Sequence, residues 1–98
     1  MPTPKLSDDE IRDGLARLPG WTRSGDEIVK EYELPTFPAA IDFVVRIADL
    51  AEAANHHPDL DIRYRKVRVA LSTHDAGGLT AKDLSLAEQI EQVVEPPG

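Results

Sequence analysis

The sequence predicts an α+β domain of order α-β-β-α-β-β-α, a four-stranded antiparallel sheet with three helices on one face. Three observations carry this. Apolar residues recur at helical spacing in three separate segments, each preceded by a hydroxyl residue suited to capping. The stretch "LDIRYRKVRVALS" alternates apolar and polar residues on both sides of a short connection, as a hairpin does. Turn-forming Ser24-Gly25-Asp26 divides an earlier pair of short β-prone runs.

Taken in order, Ser7 is placed to cap the first helix, and Asp8, Asp9 and Glu10 fall in its first turn, where the helix dipole favours acids. Ile11, Leu15 and Leu18 form its apolar stripe, and Pro19-Gly20 stops it. Strands are expected over Trp21 to Arg23 and Ile28 to Leu34; Ile28, Tyr32 and Leu34 share a face that Lys30 interrupts. Thr36 caps a second helix that tolerates Pro38 in its first turn. Ala40, Ile41, Val44, Ile47, Ala48, Ala51 and Ala54 are its expected buried stripe. Pro58 disfavours helical geometry at His57, so this helix ends at or just before that residue. After the hairpin, Gly77-Gly78 breaks the chain and Thr80 caps a third helix, with Asp83 completing a capping box. Leu84, Ala87, Ile90, Val93 and Val94 are its stripe.

The chain of 98 residues fits one domain, residues 1–98, with residues 1–5 and 95–98 expected as disordered tails. Lys plus Arg number 11 and Asp plus Glu 18, a net charge of −7, which argues against nucleic acid or an anionic membrane as direct partner. No stretch approaches the roughly 18 apolar residues of a membrane span. The absence of cysteine removes disulfides, thiol nucleophiles and thiolate metal sites, and fits a cytoplasmic setting.

The three histidines are the candidate chemistry. Pairing Tyr64 with Val67, Ile62 with Val69 and Leu60 with Leu71 puts three apolar pairs on one face. Extended backwards, that register sets His57 opposite His74, with His56 beside it, at one end of the sheet. Arg65-Lys66 is poor chemistry for a two-residue turn, and widening the loop to four residues keeps the register. Singly, each histidine reads as a solvated helix-end or strand-end residue; their convergence favours function. Three histidines and a water can hold zinc, but adjacent helical residues diverge by about 100°, so His56 and His57 do not readily share one ion. Histidine titrates near neutrality, which suits proton transfer.

At this point "HHPDLDIRYRKVRVALSTHDAGGLTAKDLSLA" resembles the core of the pterin-4a-carbinolamine dehydratases. Glu52 stands four residues before His56, as in that family's E-x-x-x-H-H-P pattern, and Gly20-Trp21 resembles the Gly-Trp at its first strand. The likeness runs from about residue 6 to 94; Arg65 departs from the Asn often found there. The resemblance implies dehydration of a 4a-hydroxytetrahydropterin to the quinonoid dihydropterin, with no organic cofactor and no metal. It implies catalytic roles for His56, His57 and His74. Asn55, Ser72, Thr73 and Asp75 would contact the pterin. By its place one helical turn before His56, Glu52 is a candidate to orient that imidazole, with Asp59 and Asp75 as the other candidates. Family members assemble as homodimers or homotetramers, and some animal members also bind a transcription factor.

Other residues have plainer readings. Trp21 is either core or a wall of the pterin site, and Asp83 is a capping-box acid more readily than a catalyst. Gly77-Gly78 lacks a phosphate-binding pattern. Arg63, Arg65, Lys66 and Arg68 form a basic hairpin face. The competing function is a non-catalytic assembly or coactivator-type module on the same scaffold.

Overall fold

A computed structural model of the chain describes residues 3–94. Ser7 and Glu10 satisfy each other's backbone N–H groups in a capping box that starts α1, Asp8–Leu15. The helix closes at Leu15, before Leu18, because the chain tightens into turn hydrogen bonds from Arg17 and Leu18 back to Gly14 and Leu15. Leu18 is nevertheless buried. Strands β1 (Thr22–Ser24) and β2 (Glu27–Glu33) pair across a two-residue turn in which Gly25 takes the positive φ. The long α2, Phe37–Ala54, is capped by the Thr36 hydroxyl and ends in left-handed Asn55. Strands β3 (Asp59–Arg63) and β4 (Lys66–Leu71) form the second hairpin, and a short 3₁₀ turn, His74–Ala76, leads to α3, Ala81–Val93.

The sheet is antiparallel with order β1-β2-β4-β3. All three helices lie on the face that carries Ile28, Tyr32, Val67, Val69 and Leu71, each buried. The opposite face carries Glu31, Arg68 and Asp61 in one cross-strand row. Of the expected tails, residues 1–2 and 95–98 lie outside the described residues. Lys5, expected in the first tail, bridges Thr80, and Leu6 N–H donates to the Leu79 carbonyl at 2.8 Å.

Two helix faces are rotated from expectation. On α2 the buried residues are Ala40, Phe43, Ile47 and Ala51, while Ile41, Ala48 and Ala54 face outward. Phe43 turns inward to meet Tyr32 edge-on, with ring centroids 4.8 Å apart. On α3 the fully buried set is Asp83, Leu86, Ala87 and Ile90, with Leu84 and Val93 at the margin.

The hairpin register also differs. Ile62 pairs with Val67 and Leu60 with Val69, two residues out of step with the expected alignment, and the turn is Tyr64-Arg65. A shift of two preserves which face each side chain takes, so apolar alternation cannot separate the two registers. Tertiary contacts do. Arg65 binds Glu33 at 2.8 Å and its carbonyl accepts from Leu34 N–H at 2.8 Å, while Tyr64, at φ 54°, stacks on Phe37.

Lys30, the cation on the core face, meets a carboxylate. Glu91 of α3 accepts from Lys30 Nζ at 2.5 Å, Tyr32 Oη at 2.7 Å and Trp21 Nε1 at 2.9 Å. Burial works to raise the Glu91 pKa, but hydrogen bonds from Lys30 and Tyr32, the Lys30 charge and Trp21 together hold it below its usual 4.5. A carboxyl whose pKa is lower folded than unfolded contributes stability above the unfolded value and loses it as pH falls. Acidification through pH 4.5 and below is therefore expected to destabilise the wild type. Glu91→Gln should cost about 1–3 kcal/mol at neutral pH and flatten the acid limb, read by thermal melts across pH.

Candidate functional site

The site begins with a buried carboxylate. Asp83, at the third position of α3, is fully buried. Its Oδ2 accepts the N–H of Thr80 at 2.9 Å, the capping-box bond. The same oxygen accepts the Thr73 hydroxyl at 2.8 Å, and Oδ1 accepts His56 Nε2–H at 2.6 Å. Because Thr73 gives its proton to Asp83, the 2.8 Å contact between Thr73 and Thr80 takes its proton from Thr80. Among the described residues no buried side-chain polar atom lacks a partner.

This carboxylate joins three chain segments. His56 lies just past α2, Thr73 just past β4, and Thr80 caps α3. The expectation that Glu52 orients His56 is corrected: Asp83 holds His56, and Glu52 Oε1 lies 3.3 Å from His57 Nε2 on the surface. Asn55 takes a left-handed φ of 50°, which ends the helical path and lets His56 fold back onto the core while His57 remains in solvent. Asn tolerates that conformation better than most residues. The side chains of adjacent His56 and His57 are 10% and 57% exposed, so the two have different environments.

His74 opens the 3₁₀ turn and is exposed. It lines a cleft of about 350 Å³ together with Ser72, Thr73 and the Gly77-Gly78 turn. The opposite wall is the β1–β2 hairpin, through Ser24, Asp26 and Glu27. Extended two residues past its first pair, Asp59 with Ala70, the observed register points His57 toward Ser72 instead of His74. His57 and His74 thus stand at one sheet end, on segments held together through His56 and Thr73. His56 itself borders a separate groove of about 270 Å³ between the end of α2 and α3.

The remaining expected residues divide. Ser72 and Thr73 line the cleft, Thr73 being also part of the buried network. Asp75 is exposed in the 3₁₀ turn, and Asn55 serves as the helix cap. Trp21 is core and not a cleft wall: it is 4% exposed, packs edge-on to Tyr32 and donates to Glu91, at the far end of α3 from Asp83. Asp83 is the member that reading for a cap alone assigns no further partner. Its signal in the sequence was an acid at the capping position of a helix that follows the S-T-H segment. Among the described residues no group of three His, Cys, Asp or Glu is placed to hold a metal ion, and no helix is long and apolar enough to cross a membrane.

Fold and site together define a class: small α+β proteins with a histidine–carboxylate cluster at one end of a four-stranded sheet. Residues 4–93 match the model of the family described as pterin 4 alpha carbinolamine dehydratase. A relative from Roseiflexus castenholzii, provisionally named a pterin-4-alpha-carbinolamine dehydratase, is 62% identical over 91% of this chain and 96% of its own length. One from Chloroflexus aurantiacus with the same name is 56% identical over 93% of this chain and 98% of its own. A crystal structure of a transcriptional coactivator/pterin dehydratase from Brucella melitensis superposes with TM-score 0.89 at 28% identity, covering 93% of this chain and 99% of that one. A pterin dehydratase-like RuBisCO assembly factor of the alpha-carboxysome shares the fold, with TM-score 0.63 at 15% identity over 76% of this chain and 86% of that one. The chain belongs to the pterin 4 alpha carbinolamine dehydratase family.

Removing the Asp83 carboxylate should cost more than removing a surface acid. Asp83→Ala deletes a cap worth about 1 kcal/mol and leaves the His56 N–H and Thr73 hydroxyl without their acceptor, for a total of about 2–4 kcal/mol. Asp75→Ala, at an exposed position, should change stability by less than about 0.5 kcal/mol. Denaturant melts of the two variants check the contrast.

Proposed function

We propose that this protein dehydrates a 4a-hydroxytetrahydropterin to the quinonoid dihydropterin and water, and so serves the recycling of a tetrahydropterin cofactor. The observation that carries this reading is the shared Asp83 carboxylate, which binds His56 through one oxygen and Thr73 through the other. That tie joins the two segments, Asn55 to His57 and Ser72 to Asp75, in which the family resemblance locates pterin contacts.

Dehydration needs a proton on the leaving 4a-hydroxyl and removal of the N5 proton. As the C4a–O bond breaks, the N5 lone pair forms the C4a=N5 bond, the hydroxyl departs as water, and the N5 proton passes to a base. His57 and His74, both exposed and at one sheet end, are assigned these two transfers. His56 is assigned positioning, since Asp83 engages its Nε2–H in the core. Histidine acid–base chemistry contributes typically about 10²–10⁴-fold, enough for a reaction that already proceeds unaided. The reading uses no metal and no organic cofactor, and places the protein in the cytoplasm.

We further assign a homo-oligomer, dimer or tetramer. Phe37, Ile41 and Val45 form an exposed apolar stripe along α2, and Tyr64 continues it by stacking on Phe37. An apolar stripe of this kind is what a helix packed against another copy presents. The same stripe favours the second reading, a non-catalytic assembly or coactivator-type module, in which a different protein covers it.

His57→Ala and His74→Ala should each lower carbinolamine turnover at least about 100-fold while shifting stability by less than about 0.5 kcal/mol. Full activity in both folded variants would move the binding-module reading ahead. The wild-type rate enhancement should be indifferent to chelators. Sedimentation should give a dimer or tetramer at micromolar concentration, and Val45→Asp should shift it toward monomer.

A further inference from the structure

Resting on the dehydratase reading, the geometry points to Glu27 as the residue that anchors the aminopyrimidinone edge of the pterin ring. Nothing in the resemblance involves this position. The inference begins from the strand register. Ile28 pairs with Leu71 on the last rung between β2 and β4, and both face the helices. One residue further, Glu27 comes level with Ser72, and strand alternation turns both toward the open face. Glu27 and Ser72 thus stand as cross-strand neighbours at this sheet end, where direct neighbours have Cβ atoms about 4.5–5.5 Å apart.

Glu27 and His74 line the same cleft of about 350 Å³ from opposite walls. The volume falls within the roughly 300–1,000 Å³ of small-molecule sites. A bicyclic ring that presents C4a and N5 to His57 and His74 must point its pyrimidinone half elsewhere in the cleft, and the β1–β2 hairpin is the facing wall. That half carries N3–H and a 2-amino N–H side by side. Two parallel donors match the two oxygens of one carboxylate, as a guanidinium does.

The Glu27 carboxylate is available for this. Its side chain is 34% exposed, and its contact among the described residues is Arg68 Nη2 at 4.0 Å from Oε1, beyond hydrogen-bond range. Arg68 keeps a positive charge beside it without occupying its acceptors. Asp26 sits on the same wall, but in the turn itself and facing solvent, where a bound ring would gain less from it. Glu27 therefore supplies binding and orientation, not proton transfer.

The test compares wild type, Glu27→Gln and Asp26→Asn in turnover of a 4a-hydroxytetrahydropterin. The same proteins are titrated with 7,8-dihydropterin and with its analogue lacking the 2-amino group. Loss of a charged acceptor should raise KM and the dihydropterin Kd about tenfold to a hundredfold in Glu27→Gln. The change should leave kcat within about twofold, the pattern of lost uniform binding. Wild type should prefer the 2-amino ligand, and Glu27→Gln should lose that preference, which a structural defect would not produce selectively. Unchanged KM and preference in Glu27→Gln overturn the assignment, as does a loss confined to Asp26→Asn. If wild type fails to turn over the carbinolamine, the dehydratase reading falls. The two ligand titrations then still decide whether Glu27 reads the 2-amino group.

Discussion

One buried carboxylate organises the working end of this molecule. Asp83 accepts three hydrogen bonds, from the cap of its own helix, from Thr73 just past β4 and from His56 just past the long helix. An isolated buried carboxylate would be strongly unfavourable, so the three donors and the acceptor depend on one another. Losing any one leaves a buried polar group short of a partner. A capping motif thereby becomes a tertiary tie, and its cost of burial is offset by fixing loops that would otherwise move independently.

That tie also explains why two adjacent histidines are unlike. His56 spends its Nε2–H on Asp83 in the core, while His57 meets solvent and Glu52. The left-handed Asn55 before them is what allows the chain to divide its histidines between interior and surface. Proton transfer to a ligand needs an exposed imidazole, and holding a loop needs a buried one. The same dipeptide provides both.

At the other end of α3 a second polar cluster performs a related task. Lys30, Tyr32 and Trp21 all donate to Glu91, so a cation on the core face of β2 is neutralised where the sheet meets the helix. The phenol of Tyr32 is pushed up by burial and by Glu91, which keeps it a donor. The third helix is thus pinned to the rest of the fold by a carboxylate near each end, with Leu86, Ala87 and Ile90 packed between them. A pinned helix suits a site that must hold Thr73 and His56 within hydrogen-bond distance of one residue.

Element order, the three hydroxyl caps and the one-sided sheet were legible in the sequence, because capping chemistry and apolar period are local properties. So were the histidines as candidates, through their company with Pro58 and the Gly77-Gly78 turn. What local pattern could not decide was anything that two arrangements satisfy equally. The β3–β4 register is one case: a shift of two keeps every apolar residue on its face, and Arg65 with Glu33 and Tyr64 with Phe37 made the choice. The inward face of α2 is another, settled by Phe43 meeting Tyr32. The partner of His56 is the third. Glu52 lies one helical turn away and Asp83 lies 27 residues away, yet Asp83 holds the imidazole at 2.6 Å. Proximity along the chain suggested Glu52, with Asp59 and Asp75 as alternatives; packing α3 against the end of α2 is what brought the buried acid into reach.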